Sequence, residues 1–291
     1  MLDQSQIDFY KINGYLSVPD IFSSQEVTEL RSVTDCLVQA SKNTKSHTEI
    51  YDLEPDHSVS EPRVRRIKSP HKNHKAFDHA VRNSTILDIV EQLIGTDFRL
   101  KSTKLNMKSA SYGSAVEWHQ DWAFYPHTND DILAVGIAID DMTEINGCLL
   151  VVPGSHLGKV YDHHEEGFFV GAIPNREIPK NKPIQLTVMA GGITIHHVRT
   201  LHGSAPNTST QPRRFLLSEI CSADAWPLNT TNCVGYDEMN TQQLRGKPIL
   251  PPRMKEIPVR IPQPAYEEAG SIYELHEKMK NPFLADPEVL Q

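Results

Sequence analysis

Residues 117–126, which read EWHQDWAFYP, place His119 and Asp121 two positions apart within an apolar, aromatic run. A buried carboxylate is costly unless a cation or hydrogen-bond donors meet it, so the question is what meets Asp121. On a strand, residues i and i+2 point to the same face, which would project the imidazole and the carboxylate together. Side by side, these two groups would share one divalent cation, and the stretch therefore predicts part of a metal site.

A third ligand must come from elsewhere, because the pair alone is a weak motif. Fourteen histidines would give about one His-x-Asp step by chance. The stretch HHVRTLHGSAPNTSTQPRR, residues 196–214, supplies His196, His197 and His202. His202 is favoured because Gly203 beside it permits a close approach of the backbone, while His196 and His197 stay open as alternatives. Two histidines and one carboxylate on one face of a metal are typical of non-haem Fe(II) oxygenases.

The same stretch carries groups suited to an organic anion. By strand alternation Ser204 shares a face with His202, and Arg213 begins the next strand-like run. An arginine grips a carboxylate through two parallel N–H bonds, which a lysine does less well. The spacing thus favours a carboxylate site close to the metal site.

The composition excludes several classes of function. A net charge of -8 argues against nucleic acid as the main partner, because phosphate binding needs a surplus of Lys and Arg. No apolar run approaches the roughly 20 residues of a membrane span, and MLDQSQIDFYK does not resemble a signal peptide. The four cysteines form no CxxC pair, which predicts reduced thiols and a cytoplasmic protein.

The elements that must position these residues change in kind along the chain. Helices are predicted over residues 3–13, from the Ser23 cap to about Ala40, and over STILDIVEQLIG, with a further helix near residues 265–280. Residues 42–62 are polar and predict a surface loop. From residue 98 onward, short strand-like runs alternate with Gly, Pro and Asn turns. The pattern favours a single α+β, mainly β domain with N-terminal helices around a β-sandwich.

Three ordered motifs give the chain a resemblance to the phytanoyl-CoA dioxygenase family of Fe(II)/2-oxoglutarate-dependent oxygenases. They are WHQDWAFYP, DDMTEINGCLLVVPGSHLG and HHVRTLHGSAPNTSTQPRR. The likeness runs from FYKINGYLSVPDIFS to about residue 224. It implies a double-stranded β-helix, which is a cupin-like jelly-roll. One dioxygenase domain would then have a helical flank (1–97), a jelly-roll core (98–224) and a C-terminal extension (225–291).

The resemblance also implies roles for individual residues. His119, Asp121 and His202 would be the iron ligands, and Arg213 would pair with the distal carboxylate of 2-oxoglutarate, helped by Ser204. Lys104, on the preceding strand-like run, would also reach the co-substrate, although a solvated lysine is the alternative. Iron, 2-oxoglutarate and dioxygen would together oxidise an unactivated C–H bond, most simply by hydroxylation, with release of succinate and CO2.

Two departures from the family pattern qualify the resemblance. Members often carry Gly-Asp before the strand that leads to the distal histidine, where this chain has Ala190-Gly191-Gly192. We interpret this as a local change of turn. The carboxylate at Asp121 disfavours halogenation, because related halogenases lack it to make room for chloride. The alternative function is a cupin-like isomerase or hydrolase with a metal but no 2-oxoglutarate, which would need no carboxylate clamp at Arg213.

The sequence says little about the substrate, because loops shape the mouth of such a barrel. The candidate segments are 42–62, 122–131, 157–183 and the C-terminal extension. The cluster Arg63, Arg65 and Arg66 would receive an anionic group, although a solvated face is favoured for it. A small molecule is the expected partner, an anionic substrate and a homodimer stay open, and neither nucleic acid nor a membrane is expected. Trp118 is expected in the core.

Overall fold

The computed structural model describes residues 1–174, 182–229, 234–267, 270–280 and 282–284. None of the helices in these ranges is long and apolar enough to pass through a bilayer. Within the same ranges the helices are α1 (Gln4–Asn13), α2 (Ser24–Ala40), α3 (Pro70–Asn73), α4 (Lys75–Val81), α5 (Ser84–Ile94), α6 (Tyr236–Asn240) and α7 (Ile272–Glu277).

The strands fall into a main sheet, a minor sheet and a two-stranded hairpin. They are β1 (Tyr15–Val18), β2 (Tyr51–Leu53), β3 (Val64–Lys68), β4 (Phe98–Lys108), β5 (Val116–His119), β6 (Ile132–Ala138), β7 (Leu149–Val151), β8 (His164–Glu165), β9 (Phe168–Phe169), β10 (Ile184–Leu186), β11 (Ile193–His197), β12 (His202–Ser204), β13 (Arg213–Ser222) and β14 (Gln243–Arg245). The main sheet has the order β1-β11-β6-β13-β4-β3-β2, with β14 beside β4, and the minor sheet has the order β10-β7-β12-β5.

Eight of these strands form the jelly-roll that the resemblance implied. From β4 to β7 the chain alternates between the main and the minor sheet. It then places β10 and β12 in the minor sheet and β11 and β13 in the main sheet. The strand pairings within both sheets are antiparallel. The two inner faces enclose the space in which the candidate site lies.

The N-terminal helices pack on the outer face of the main sheet. Ser23 and Glu26 cap α2 reciprocally, as the sequence predicted, and Gly14 ends α1 in the left-handed conformation at φ 78°. The helices bury apolar residues against Ile193, Ile195 and their neighbours in the largest core cluster. This packing fixes the main sheet from behind and leaves its inner face free to line a cavity.

Several boundary predictions need correction. The segment 42–62 is not a continuous loop, because β2 adds to the edge of the main sheet by pairing with β3. The flank over 1–97 is therefore not only helical: it also contributes β1, β2 and β3. In the C-terminal extension, β14 joins the main sheet, and α7 is shorter than the helix predicted near residues 265–280. The domain limits at 97 and 224 stay predictions.

Candidate active site

A cavity of about 690 Å³ opens between the two sheets, and all six site residues from the sequence line it. His119 ends β5 and His202 begins β12, and the two residues lie directly opposite each other in the minor sheet. Asp121 follows two residues after His119. The fold therefore brings together side chains that lie 83 positions apart in the sequence.

His119, Asp121 and His202 form the one potential metal-binding cluster found in the described ranges. One ligand atom from each lies within 4.8 Å of the others, and His119 Nε2 is 3.9 Å from Asp121 Oδ1. Asp121 is not on a strand, contrary to the sequence interpretation. It begins a 3₁₀ turn, Asp121–Ala123. The chain turns here to bury Trp122, whose backbone N–H donates to the Val198 carbonyl over 2.9 Å.

The two imidazoles present the same nitrogen to the cavity. Nδ1 of His119 lies 2.7 Å from the Glu117 carbonyl, and Nδ1 of His202 lies 2.9 Å from the Thr200 carbonyl. Because a carbonyl only accepts, each Nδ1 carries the proton and each Nε2 keeps a lone pair. Burial lowers the pKa of His202 to about 4 and holds the pKa of His119 well below its usual value. Both rings are neutral at pH 7, as metal ligands must be.

Asp121 is ionised although it is buried. Burial alone would raise its pKa, but Lys104, a hydrogen bond from His196 and the neighbouring imidazoles hold that pKa well below its usual value. His196 Nε2 lies 3.4 Å from Asp121 Oδ2, the oxygen that does not face His119. His197 points elsewhere, towards Asp130. Of the two rival histidines, one therefore contacts the cluster and the other does not.

Arg213 lies in the cavity wall with its guanidinium buried. Its Nη2 donates to the Gly147 carbonyl over 3.0 Å, while its Nε has no hydrogen-bond partner. Among the described residues no carboxylate forms an ion pair with it. An unmatched buried guanidinium is costly, which indicates a site built for an anion that arrives later. Ser204 lines the same cavity beside His202.

Lys104 lines the cavity and is paired with a carboxylate there. Its Nζ donates to Glu219 Oε1 over 2.9 Å, and Lys101 donates to Glu219 Oε2 over 3.1 Å. Burial would raise the pKa of Glu219, but the two lysines lower it to about 2. The sequence interpretation missed Glu219, although a lone acidic residue in the apolar run LLSEIC was a usable signal.

The arginine cluster is not a solvated face, contrary to the expectation. Arg66 lines the cavity with Lys68, and both pair with the buried Asp52, Lys68 over 3.0 Å and Arg66 over 2.5 Å. Arg65 is only 4% exposed and stacks on the Tyr273 ring at 5.2 Å. A bulge in the pairing of β2 with β3 interrupts the alternation of β3, which the sequence does not reveal.

Of the four aromatic residues around the metal-site motif, Trp118 is in the core, as expected from the sequence. Phe124 and Tyr125 line the cavity, whereas Trp118 and Trp122 are buried in separate core clusters. Of the candidate substrate loops, 122–131 and the C-terminal extension reach the cavity. No described residue of 157–183 lines it, and residues 175–181 lie outside the described ranges.

The sequence is similar to known dioxygenases and to a hydroxylase, as the family profile and two relatives show. The profile of the phytanoyl-CoA dioxygenase family matches residues 10–215. The chain is 39% identical to a "Probable alpha-ketoglutarate-dependent hypophosphite dioxygenase" of Stutzerimonas stutzeri, over 91% of this chain and 94% of the relative. It is 28% identical to an "L-proline trans-4-hydroxylase" of Streptomyces griseoviridis, over 78% of this chain and 91% of the relative.

The fold is also found among solved structures. The crystal structure of the epimerase SnoN in complex with Fe³⁺, alpha ketoglutarate and nogalamycin RO superimposes with a TM-score of 0.65. The match covers 86% of this chain and 96% of that chain at 21% identity. Identity this low supports the shared jelly-roll fold and nothing finer.

Proposed function

The chain belongs to the phytanoyl-CoA dioxygenase family, and on that premise we propose that His119, Asp121 and His202 hold Fe(II) while Arg213 binds 2-oxoglutarate. The enzyme is an iron- and 2-oxoglutarate-dependent oxygenase that hydroxylates an unactivated C–H bond of a small molecule and releases succinate and CO2. One observation supports this most strongly. A buried His-Asp-His cluster shares its cavity with a buried guanidinium that no described carboxylate meets.

The donor set fits a ferrous ion. Two neutral imidazoles and one carboxylate make the facial triad that leaves the other coordination positions open. The carbonyls of Glu117 and Thr200 orient the two rings and fix their tautomers. When bound, the metal and the 2-oxo acid would supply, together with dioxygen, the chemistry that oxidises the C–H bond. The task of the protein is to hold the reactants and to exclude water.

Arg213 positions the co-substrate. A guanidinium offers a planar pair of N–H donors that match a carboxylate, and its burial strengthens the interaction. The hydroxyl of Ser204 adds a hydrogen-bond donor at the same wall of the cavity. A cupin-like isomerase or hydrolase without 2-oxoglutarate would not need a buried guanidinium to bind a carboxylate here. The presence of Arg213 therefore disfavours the alternative function.

The substrate is a small anion, and the charge balance of the cavity supports this class. Five cations line the cavity or pair with carboxylates at it: Arg66, Lys68, Lys101, Lys104 and Arg213. They face three carboxylates: Asp52, Asp121 and Glu219. A divalent metal and a doubly charged 2-oxo diacid cancel each other, so two positive charges remain for the substrate.

The similar hypophosphite dioxygenase carries the name of a small anion, which supports the same class. Hypophosphite, however, is far smaller than the cavity of about 690 Å³, since pockets of roughly 300–1,000 Å³ bury drug-sized ligands. We therefore place larger anions, such as alkyl phosphonates and carboxylates, beside hypophosphite as substrates. A homodimer and a cytoplasmic location stay predictions. Cys36, Cys148 and Cys221 are free thiols, and Cys233 lies outside the described residues.

A screen for succinate release tests the proposal. The purified enzyme with Fe(II) and 2-oxoglutarate is offered hypophosphite, alkyl phosphonates and carboxylates, each beside a neutral isostere. We expect anions to stimulate succinate release and their neutral isosteres not to do so. For the best anion, Lys68→Met should raise KM about tenfold or more, because a charge-assisted hydrogen bond contributes roughly 1.5–3 kcal/mol.

The matched control is the exposed Lys72, whose substitution by Met should leave KM unchanged. Stimulation by neutral compounds alone would overturn the anionic class. Succinate release in Asp121→Ala at the wild-type rate would remove Asp121 from the metal site.

A further inference from the structure

The C-terminal strap, residues 270–280 with 282–284, crosses the cavity and reaches the strand that carries His119. Ser271, Tyr273 and Leu275 line the cavity, and Tyr273 and Leu284 are buried. The strap lies beyond residue 215, where the family match ends. Its contacts with the metal-site strands are specific hydrogen bonds, which sets it apart from a loose tail.

Glu117 links the strap to the metal site through three of its groups. Its buried carboxylate oxygen Oε2 accepts the backbone N–H of Phe283 over 2.8 Å and that of Leu284 over 2.7 Å. Its own backbone N–H donates to Nδ1 of His276 over 3.1 Å. Its backbone carbonyl accepts the hydrogen bond that orients the His119 ring. One residue therefore joins two points of the strap to the rotamer of a metal-site imidazole.

His276 is held in the tautomer that this arrangement needs. Because its Nδ1 accepts the N–H of Glu117, its Nε2 carries the proton and donates to the Gly171 carbonyl over 3.1 Å. The ring is buried and lies 6.3 Å from the ring of His119, measured between centroids. The hydrogen bonds of His276 therefore tie α7 both to β5 and to the segment around Gly171.

The strap also contacts the strand of the second histidine. Leu284 packs in a cluster with Trp118 and Leu201, which are the neighbours of His119 and His202 in the chain. A Cβ added to Gly203 would lie 2.7 Å from Leu284 Cδ1 and 2.9 Å from the Val116 carbonyl. The strap, β5 and β12 are thus closely packed beside the metal-site histidines.

The minor sheet does little to fix β5 by itself. This strand is at the edge of the sheet and has β12 as its one strand neighbour in the described structure. It is also only four residues long. A short edge strand depends on contacts from outside its sheet for its position. For β5, the strap supplies such contacts through Glu117.

We propose that the C-terminal strap is a positioning element of the metal site, which sets metal affinity by holding Glu117 and, through its carbonyl, the ring of His119. The inference rests on the proposed function, because it takes His119 as a ligand. Residues that orient a metal ligand typically change metal affinity by about 10–100-fold when they are replaced. The strap would then complete the metal site as well as wall the cavity.

Metal binding by full-length variants tests this role directly. Fe(II) and Co(II) dissociation constants are measured anaerobically without substrate, together with the visible absorption of bound Co(II), which reports ligand geometry. Glu117→Met, which removes both accepted hydrogen bonds, should weaken metal binding about 10–100-fold and alter the Co(II) spectrum. Glu117→Gln keeps an acceptor oxygen, so its metal affinity and Co(II) spectrum should match those of the wild type. His276→Asn and His276→Leu form a second matched pair, in which only Asn keeps the acceptor.

The control within the strap is Lys280→Met, because Lys280 is exposed and pairs with Glu166, away from Glu117. It should bind metal as the wild type does. If Glu117→Met does not fold, Leu284→Ala carries the test with the same expectation. Wild-type affinity and spectrum in a folded Glu117→Met or Leu284→Ala protein would overturn the positioning role. A wild-type enzyme that binds neither metal would instead refute the proposed function.

Discussion

Replacement of Arg213 by Met is the sharpest test of how the cavity binds its co-substrate. The methionine side chain fills similar space but offers neither charge nor hydrogen-bond donors. In the structure the Arg213 guanidinium makes one hydrogen bond, to the Gly147 carbonyl, and its Nε is unpartnered. The remaining donors are free to grip a carboxylate, so the substitution should remove co-substrate binding and little else.

The magnitude follows from the number of bonds lost. A carboxylate gripped by two parallel N–H donors loses two charge-assisted hydrogen bonds of roughly 1.5–3 kcal/mol each. Truncation of one partner in a buried charge pair costs about 2–5 kcal/mol in measured cases. A loss of about 3–5 kcal/mol corresponds to a rise of about 100-fold to 4,000-fold in the dissociation constant for 2-oxoglutarate.

Two measurements read out this loss without any substrate. The first is anaerobic titration of the Fe(II) enzyme with 2-oxoglutarate, followed by the visible charge-transfer band of the chelate. The second is thermal unfolding. A ligand at 100 times its dissociation constant stabilises the folded state by about 2.7 kcal/mol, and Arg213→Met should lose this shift. Its ligand-free melting temperature should not fall, because the variant no longer buries an unmatched cation.

Arg214 provides the matched control. It is the next residue on β13, but its side chain pairs with Asp140 over 2.7 Å and with Asp35 over 2.7 Å on the other face of the sheet. Arg214→Met should lower stability and leave 2-oxoglutarate affinity unchanged. If Arg213→Met bound 2-oxoglutarate within threefold of the wild type, the clamp assigned to Arg213 would be wrong. If Arg214→Met lost that affinity, the clamp would belong to Arg214.

Two further predictions concern stability. Burial raises the pKa of the Glu54 carboxyl from 4.5 to about 7, so the folded state loses stability as pH rises from 4.5 to 7 and carries the full cost, about 3 kcal/mol at most, above pH 7. Glu54→Gln should therefore melt higher than the wild type at pH 8 but not at pH 4, and an equal difference at both pH values would contradict the assignment. A Cβ added to Gly136 would lie 2.0 Å from Cζ of Phe215, so Gly136→Ala should destabilise the fold by about 1–3 kcal/mol in urea unfolding. Gly235→Ala, where the added Cβ meets nothing within 4 Å, is its control.

Local structure was predictable from sequence because its causes are local. The cap of α2 needs only Ser23 and Glu26, three residues apart, and the end of α1 needs only a residue that tolerates φ 78° at Gly14. The strand-like runs after residue 98 were likewise predicted from periodicity and turn residues, although their order in the sheets was not. The edge strand β2 was not, since its three residues form a strand only because β3 is there to pair with them.

The histidines show where pattern reasoning stops. Strand alternation in ITIHH separates His196 from His197, because Ile193 and Ile195 face the helices and therefore turn His196 towards the cavity. That signal was present in the sequence. The pairing of His202 with His119 was not, because it depends on the register between strands that are far apart in the chain. Gly203 and the resemblance to a family favoured His202 as a ligand, but neither gave this register.

Glu219 was missed for a related reason. Its partner depends on the register of β13 with β4, in which Glu219 lies opposite Ser102 and Leu217 lies opposite Lys104. A slip of one residue would turn Glu219 to the outer face, against the helices, and leave Lys104 unpaired. No local pattern sets that register. The solvated alternative for Lys104 is therefore wrong, because the lysine is paired with Glu219 in the structure, and its contact with the co-substrate stays a prediction.

The inner face of β13 separates the two anion sites of the proposed enzyme. Arg213, Phe215, Leu217 and Glu219 follow one another at alternate positions, and all four line the cavity. At about 3.4 Å per residue, the six steps from Arg213 to Glu219 span roughly 20 Å. An apolar ring and an apolar side chain lie between the guanidinium and the carboxylate that collects Lys101 and Lys104. Charges this far apart interact weakly, so an anionic substrate held by Lys101 and Lys104 of β4 would bind apart from a co-substrate held by Arg213 of β13. The sequence RRFLLSE encodes that separation once β13 is known to turn alternate residues inward.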